Sequence, residues 1–281
     1  MQKSSKKYDF TENDFNEEIE SEVKFIWKLF KQLLAFPFIL FLFLIKKRKF
    51  SDVVKPLVTI KKFIFAAKFT IQIILLNCII FISQLFMSDE FFSILVSYPS
   101  DLFSIRIFSL ITSGFLHANL SHLLWNMLGI FIFGRVIERK LRYKKTALIY
   151  FGALIISGIF SSILNLFLFD SNIGGIGASG ALMGLIGTAM LLDPMYLTHD
   201  LLIPLPVMIV SWVFIIADVQ GVLSGINDGI GHLAHIGGFI SISLLYFFLD
   251  KKYRWKLRSG LWVNIISALI AGVFYILLVV L

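Results

Sequence analysis

Seven long apolar segments run through this sequence of 281 residues, and they constrain its fold more than any other feature. Most are close to the roughly 20 residues that an α-helix needs to cross a lipid bilayer. In chain order they cover residues 69–87, 120–136, 147–168, 178–192, 201–219, 231–249 and 261–281. Backbone polar groups cannot be left unpaired in lipid, so segments of this kind form internally bonded helices. The sequence therefore predicts an all-α integral membrane protein.

The composition argues against an ordinary soluble domain. Hydrophobic residues make up 58% of the chain and charged residues only 16%, whereas soluble domains have about half and a quarter. The net charge of +8 is compatible with nucleic-acid binding, but the basic residues cluster beside the apolar segments. We therefore expect the lipid bilayer, and no nucleic acid, as a partner. The single cysteine, Cys78, cannot form a disulfide or a thiol pair within one chain.

The distribution of Lys and Arg predicts an orientation. With the N-terminus inside and seven crossings, all 26 basic residues except Arg106 fall on the cytoplasmic side. Cytoplasmic loops of membrane proteins carry such an excess. We therefore expect a cytoplasmic N-terminus and outer loops over residues 88–117, 169–177 and 220–230. The bias fits a bacterial plasma membrane and is also compatible with a eukaryotic one.

The segments between and around the apolar stretches predict four regions. Residues 1–24 are polar and are expected to form a flexible cytoplasmic tail. Residues 25–66 form a basic amphipathic region whose apolar stretch is short and contains Pro37, so an in-plane interfacial helix is favoured over a span. We expect a bundle of six spans over 67–250, followed by a cytoplasmic loop and the seventh helix over 251–281.

A glycine-rich turn opens the fourth apolar segment and contains a candidate nucleophile. Residues 174–180 have the sequence Gly-Gly-Ile-Gly-Ala-Ser-Gly, which places Ser179 at or near a helix N-terminus. Free backbone N–H groups at such a terminus can hold a developing oxyanion. Gly180 and Gly184 continue at a spacing that lets another helix pack closely. For this motif alone, helix packing without catalysis is the more common explanation.

The sixth apolar segment contains two histidines, His232 and His235. A histidine inside a span is unfavourable unless it has a partner. Gly237 and Gly238 make this helix slim, so it could bring His235 within hydrogen-bond reach of Ser179, as an activated serine requires. A polar packing contact and a metal site are the alternatives. Because no HExxH-type spacing accompanies the histidines, we expect no metal and no cofactor.

The second apolar segment begins with two further hydrogen-bond donors, His122 and Asn126. They are four residues apart and therefore share one face of a helix. Both side chains can donate hydrogen bonds, so they could complete an oxyanion site with the backbone N–H of Ser179. Hydrogen bonding between neighbouring helices explains the pair equally well.

In combination, these residues resemble the rhomboid family of intramembrane serine proteases. The matching stretches are HANLSHLLWN (117–126), GASG (177–180) and AHIGG (234–238), in this order on the second, fourth and sixth segments. Glu138 also matches the region that follows the family's second helix. The resemblance covers roughly residues 69–250. It implies a six-helix rhomboid-like bundle plus one C-terminal transmembrane helix.

The resemblance also implies a function and a role for each candidate residue. Ser179 would be the nucleophile and His235 the general base and later acid, while His122, Asn126 and the Ser179 backbone N–H would form the oxyanion hole. Structural support would come from Gly177, Gly180, Gly238 and Glu138. Such an enzyme is an intramembrane serine endopeptidase with a Ser–His dyad that cuts the transmembrane segments of single-span or polytopic membrane proteins near the outer face. No aspartate in the sequence is predicted to be a third catalytic member.

The sequence departs from the family's pattern at three places. Phe108-Ser109 stand where the first outer loop often carries a Trp-Arg pair, Met183 replaces an aromatic residue four positions after Ser179, and Ile242 replaces a glycine. These departures bear on the stability of the loop, on the orientation of the histidine and on the closeness of the fourth and sixth helices. None of them removes a catalytic atom.

Two other functions fit a membrane bundle. A catalytically inactive rhomboid-like protein would bind membrane clients for quality control, but it has no chemical need for Ser179, His235, His122 and Asn126. A transporter or channel would be expected to carry paired charges or broken helices around a midplane site, which the sequence lacks. The substrate and the oligomeric state are not specified by the sequence.

Overall fold

The computed structural model describes residues 31–280 except 33, 65, 199–204 and 226–227. The predicted tail over 1–24 lies outside the described residues, as does the first part of the amphipathic region. The chain divides after Ala66 into two compact units.

The described part of the first unit contains two helices, α1 over Leu34–Leu44 and α2 over Phe50–Ile64. At 1.5 Å per residue α1 is about 16 Å long, short of the roughly 30 Å hydrocarbon core of a bilayer. The carboxylate of Asp52 in the first turn of α2 lies 3.8 Å from Arg48, where a negative charge suits the helix dipole. An interfacial location for this region stays a prediction.

The second unit consists of helices joined by short turns in its described part. They are α3 Lys68–Gln84, α4 Asp89–Leu95, α5 Ser109–Thr112, α6 Leu120–Gly129, α7 Arg135–Phe167, α8 Ser179–Leu192, α9 Val207–Ser224, α10 His232–Leu245 and α11 Lys251–Val280. By length and composition, two described stretches could cross a membrane, Leu120–Phe167 and α9, while α3, α8 and α10 are shorter apolar helices. The prediction of an all-α fold is confirmed.

The second and third apolar segments are two limbs of one helical path. The stretch Leu120–Phe167 has 48 residues, which would extend about 72 Å if straight. It is interrupted at Arg142, where φ is 68° and ψ is 168°. Leu154 packs against Gly114, and Gly158 packs against Leu110. Gly114 and Leu110 both come before the start of this helical path. The second limb therefore runs back antiparallel to the first, as two separate spans would.

Helix α8 lies at the centre of the bundle. Its residues from Gly180 to Met190 are all buried, as expected for a helix that is apolar all round. The positions of its glycines explain the close packing. A Cβ at Gly184 would collide with Ala153 of α7 and lie 3.2 Å from the hydroxyl of Ser241 on α10. Small residues thus bring α7, α8 and α10 together, which is the geometry that the Gly180-xxx-Gly184 spacing predicts.

Glu138 joins α7 to the beginning of α3. Its carboxylate accepts hydrogen bonds from the backbone N–H groups of Phe69 and Thr70 and from the Thr70 hydroxyl, each at 2.9 Å. These are free N–H groups of a helix N-terminus, where a carboxylate is favourable. Gly134 lies beside the same threonine, since a Cβ there would be 2.9 Å from its Oγ1.

The far end of α8 is surrounded by charged residues. Asp193 follows the last residue of α8 and pairs with Lys140 at 2.8 Å, and Lys145 pairs with Asp250. Asn264 of α11 donates to the carbonyl of Met190 at 3.0 Å, so the C-terminal helix packs against this end of α8. Ser179 begins α8 at the opposite end, away from this charged cluster.

Candidate active site

Ser179 is the first residue of α8, and a glycine turn with a positive φ precedes it. Gly177 has φ 125°, a backbone conformation that side-chain-bearing residues rarely adopt. Its N–H donates to the carbonyl of Ser113 at 2.9 Å, and Gly175 pairs with Ser97 in an isolated bridge. The side chain of Ser179 is partly exposed, and its hydroxyl makes no hydrogen bond within the described part of the chain. The turn therefore leaves the oxygen of Ser179 available, beside the free N–H groups of the helix N-terminus.

Helices α8 and α10 approach each other closely beside Ser179 and His235. A Cβ at Gly238 would collide with the carbonyl of Gly180 and lie 2.9 Å from the Cβ of Met183. The Cβ position of Gly180 is 3.8 Å from the carbonyl oxygen of Ala234. Since Gly180 follows Ser179 and Ala234 precedes His235, the two candidate residues start from adjacent backbone positions.

The departures at Met183 and Ile242 do not separate these helices. Both side chains are 4% exposed, and Met183 packs directly over the surface left open by Gly238. A flexible, unbranched methionine adapts to such a gap. The close contact of α8 with α10 thus rests on Gly180 and Gly238, two of the predicted structural glycines.

His122 borders the same turn. The position where Gly177 would carry a Cβ is 2.8 Å from Nε2 of His122 and 3.8 Å from Oγ of Ser179, so both atoms lie around one point. The backbone N–H of Ala118 points at Nδ1 of His122 from 3.4 Å. Because Nδ1 accepts this hydrogen bond, the neutral ring carries its proton on Nε2. His122 therefore presents a donor to the serine turn, as an oxyanion site requires.

Asn126 lies one turn further along α6. Its side chain is 4% exposed, and its amide nitrogen donates to the carbonyl of His122 at 2.9 Å. An amide has two N–H donors, so one stays available. The structure puts Asn126 on the same face as His122 but gives it no hydrogen bond to Ser179.

Asp218 of α9 is the residue that the sequence analysis missed. Its Oδ1 lies 2.9 Å from Nδ1 of His235, and the residue is 4% exposed. An ionised carboxylate can only accept, so Nδ1 of His235 donates and Nε2 keeps its lone pair. The sequence analysis names no aspartate as a third catalytic member, whereas the structure places this carboxylate beside the ring of His235. The available signal was that Asp218 is the only acidic residue in the fifth apolar segment, and a charged residue within a span is a functional candidate by default.

His232 shares that carboxylate. Its Nδ1 also lies 2.9 Å from Oδ1 of Asp218, while its Nε2 lies 3.4 Å from Oδ2 of Asp228. The N–H of Ile230, which donates to Asp228, lowers the pKa of that carboxyl below its usual value, and His232 adds to the effect. The candidate base therefore belongs to a polar cluster with two carboxylates and a second histidine.

The segment between α3 and α6 has its own stabilising network at the Phe108-Ser109 departure. Arg106 pairs with Asp101 at 3.4 Å and donates to the carbonyl of Ser93 at 2.8 Å. The buried hydroxyl of Ser109 lies 3.3 Å from the same aspartate, which also accepts from the N–H of Tyr98 at 3.0 Å. Asp101 thus ties together the segments that a Trp-Arg pair was expected to stabilise.

The fold and site define a helical membrane bundle with a serine, histidines and an aspartate at one end, and comparisons with known proteins identify its family. A family model described as "Rhomboid domain" matches residues 105–252. That is more than half of the chain, and the chain belongs to the rhomboid family. It is accordingly an all-α integral membrane protein with a six-helix rhomboid-like bundle and one additional C-terminal helix.

Similar curated proteins come from plants and bacteria. "RHOMBOID-like protein 4" of Arabidopsis thaliana is 33% identical over 180 residues, which cover 58% of this chain and 43% of that protein. "Rhomboid protease GlpG" of Photorhabdus laumondii is 26% identical over 191 residues, covering 68% of this chain and 64% of that protein. "Putative rhomboid protease YdcA" of Bacillus subtilis is 33% identical over 146 residues, covering 52% and 69%. The match with this chain spans less than half the length of the Arabidopsis protein.

Proposed function

We propose that this protein is an intramembrane serine endopeptidase in which Ser179 is the nucleophile and His235 the general base. The observation that carries the proposal is the hydrogen bond from Nδ1 of His235 to Asp218. It holds the imidazole in the tautomer that has a lone pair on Nε2, the form that can accept a proton from a serine. The close contact between Gly180 and Gly238 supports the pairing, because it sets both residues on adjacent backbones.

The proposed reaction consists of two nucleophilic attacks, each of which needs His235 to take a proton and then to give it back. Nε2 of His235 takes the Ser179 proton as Oγ attacks the carbonyl carbon of the scissile peptide bond. The carbonyl oxygen becomes an oxyanion, which accepts hydrogen bonds from Nε2–H of His122, the free N–H of Asn126 and the backbone N–H of Ser179. His235 then gives its proton to the leaving amine. Water then attacks the acyl-enzyme and gives a proton to His235, which returns it to Oγ of Ser179 as the carboxylic acid product leaves.

Asp218 acts in this scheme as a positioning residue. It keeps the ring of His235 in one orientation and one tautomer, and its negative charge stabilises the imidazolium that forms at each attack. The proposal thus replaces the predicted Ser–His dyad by a serine, a histidine and an orienting aspartate contributed by α8, α10 and α9.

The proposed substrates are transmembrane segments of single-span or polytopic membrane proteins. Two of the similar proteins bear the name rhomboid protease, GlpG and YdcA. The candidate site lies at the end of α8 opposite the charged cluster around Lys140 and Asp193. With basic loops on the cytoplasmic side, the N-terminus is cytoplasmic and the site opens to the outside. A bacterial plasma membrane is proposed from the same bias, although two of the plant relatives are named mitochondrial.

The test is proteolysis by the purified full-length protein in liposomes. A panel of single-span substrates tagged at both ends is incubated with the wild type, Ser179→Ala, His235→Ala and Ser83→Ala. Ser83 is a matched control because, among the residues that the structure describes, its hydroxyl bonds to the carbonyl of Ile79 alone, on the exposed side of α3. Cleavage is expected from the wild type and Ser83→Ala, and essentially none from the other two.

A fluorophosphonate probe gives an independent readout, since it reacts with an activated serine without any substrate. Labelling should occur in the wild type and Ser83→Ala and be absent in Ser179→Ala. Equal cleavage by the wild type and Ser179→Ala would refute the assignment. Binding of the panel without cleavage or labelling would favour the inactive client-binding alternative.

A further inference from the structure

The polar cluster of Asp218, His232 and His235 has the composition of a metal site. One ligand-type atom from each residue lies within 4.8 Å of the others. Two imidazole nitrogens and a carboxylate oxygen form a ligand set that Zn²⁺ adopts in open sites, with a fourth position for water. The second oxygen of Asp218 is buried and has no hydrogen-bond partner within the described residues. The cluster therefore has acceptor capacity that its own contacts do not use.

The surroundings of His232 provide a second, independent observation. While its Nδ1–H donates to Asp218, the neutral ring has a lone pair on Nε2, and this atom lies 3.4 Å from the carboxylate of Asp228. That nitrogen is buried without a hydrogen-bond partner among the residues described. The approach of Nε2 to this carboxylate suits a ring that carries its proton on Nε2. If Nδ1 bound a cation, the proton would lie on Nε2 and Asp228 could accept it, which is the carboxylate–histidine–metal arrangement of many zinc sites.

We infer that Asp218, His232 and His235 bind Zn²⁺ and that the bound ion switches off the serine protease. The effect on activity rests on the proposed function, whereas the binding does not. Zinc on Nδ1 of His235 obliges the neutral ring to carry its proton on Nε2. That is the atom that must accept the proton of Ser179, so the ring can no longer act as a base. Each ring keeps one proton, moved from Nδ1 to Nε2, and the ion is neither oxidised nor reduced.

Two of the three distances between ligand atoms are close to those of a tetrahedral zinc site. With bonds of about 2.0–2.1 Å, a tetrahedral zinc ion separates its ligands by roughly 3.3 Å, compared with 2.9 Å between Oδ1 of Asp218 and each Nδ1. The side chains of His232 and His235 retain 11% and 12% of their exposure. His232 begins α10 directly after the exposed residues 228–231, so the cluster borders an exposed segment of the chain.

The first experiment measures binding without activity. Full-length Ser179→Ala protein, purified without a polyhistidine tag and stripped with chelator, is titrated with Zn²⁺ by calorimetry in detergent. One ion per chain is expected. Adding His232→Gln or Asp218→Asn should weaken binding by about 100-fold or more, since even outer partners of zinc ligands contribute 10–100-fold. Asp89→Asn, an exposed carboxylate outside the cluster, is the matched control and should bind zinc like its parent.

The second experiment measures inhibition. Cleavage by the wild type is compared with and without Zn²⁺, and each variant is expressed relative to its own rate in chelator. Zinc should slow the wild type at least about tenfold, the difference that 1.4 kcal/mol produces, and chelator should restore the rate. His232→Gln should be insensitive to zinc. Mg²⁺ in place of Zn²⁺ should have no effect, because it prefers oxygen ligands.

The outcomes separate the two proposals. Stoichiometric binding that depends on His232, in a protein that cleaves no substrate, would sustain the zinc site and refute the protease. Cleavage that depends on Ser179 but is unaffected by zinc, with no binding in the titration, would refute the zinc site alone. If acidification inhibits cleavage in a way that depends on His232, while zinc has no effect, then the cluster binds a proton and not a metal ion. That outcome would also overturn the inference.

Discussion

Replacing Asp218 by asparagine should slow peptide hydrolysis by about 10- to 150-fold while leaving the fold intact. Asparagine has nearly the same shape, so the packing of α9 against α10 is retained. The loss is that of a hydrogen bond to a charged group, worth about 1.5–3 kcal/mol, and each 1.36 kcal/mol corresponds to a factor of ten in rate. We expect a loss within this range, without a discount for solvent, because the bond to His235 is 2.9 Å long and the carboxylate is 4% exposed. Little water can replace it.

The assay is cleavage of a single-span substrate in liposomes, with zinc removed by chelator so that only the proton chemistry is measured. The fall should appear in kcat, with KM changed by no more than about twofold, since Asp218 stabilises a charge that develops during the reaction. Asp89→Asn is the control, and thermal unfolding reports whether each variant is folded. If Asp218→Asn retains full kcat while Ser179→Ala is inactive, the orienting role is refuted and the aspartate is only a packing contact.

Three further predictions concern the oxyanion donors, the anchor between helices and the close helix contact. His122→Ala and Asn126→Ala should each lower kcat by about 10²–10³, the usual loss for one oxyanion donor, with thermal unfolding as the check on folding; unchanged rates would remove the residue from the oxyanion site. Glu138→Gln should destabilise the protein by about 1.5–3 kcal/mol, since a neutral amide replaces a carboxylate that accepts three hydrogen bonds, and an unchanged midpoint of thermal unfolding would contradict this. Gly238→Ala should lower both stability and activity, by about 1–3 kcal/mol in unfolding free energy, because its Cβ meets a neighbouring backbone; Gly272→Ala, with nothing within 4 Å, is its control.

Hydropathy predicted the existence of the helices better than their ends. The fourth segment was predicted over 178–192, and α8 runs from Ser179 to Leu192, because a glycine turn and an aspartate mark its limits. The fifth was predicted over 201–219, whereas α9 runs from Val207 to Ser224. Pro206 caps its beginning and Gly225, with φ 62°, ends it. Apolar composition continues across such residues, so it cannot locate a boundary that backbone geometry sets.

The candidate site was predictable where its signal is local. Ser179 and Gly177 lie in one turn, and His122 and Asn126 lie on one helical face, so spacing alone relates them. Asp218 precedes His235 by 17 residues and lies on another helix. The intervening loop reverses the chain, and only the packing of α9 against α10 brings the carboxylate to the ring. No period or motif encodes that contact.

The departure at Met183 and the presence of Asp218 bear on the same physical requirement. A histidine base must be held in one orientation, and an aromatic side chain at position 183 would do so through its flat face. Methionine is flexible and, packed against Gly238, offers no such face. A carboxylate at 2.9 Å from Nδ1 orients the ring through the direction of a hydrogen bond instead. The loss of kcat in Asp218→Asn therefore measures how much of the orientation of His235 depends on that bond in a bundle that lacks the aromatic residue.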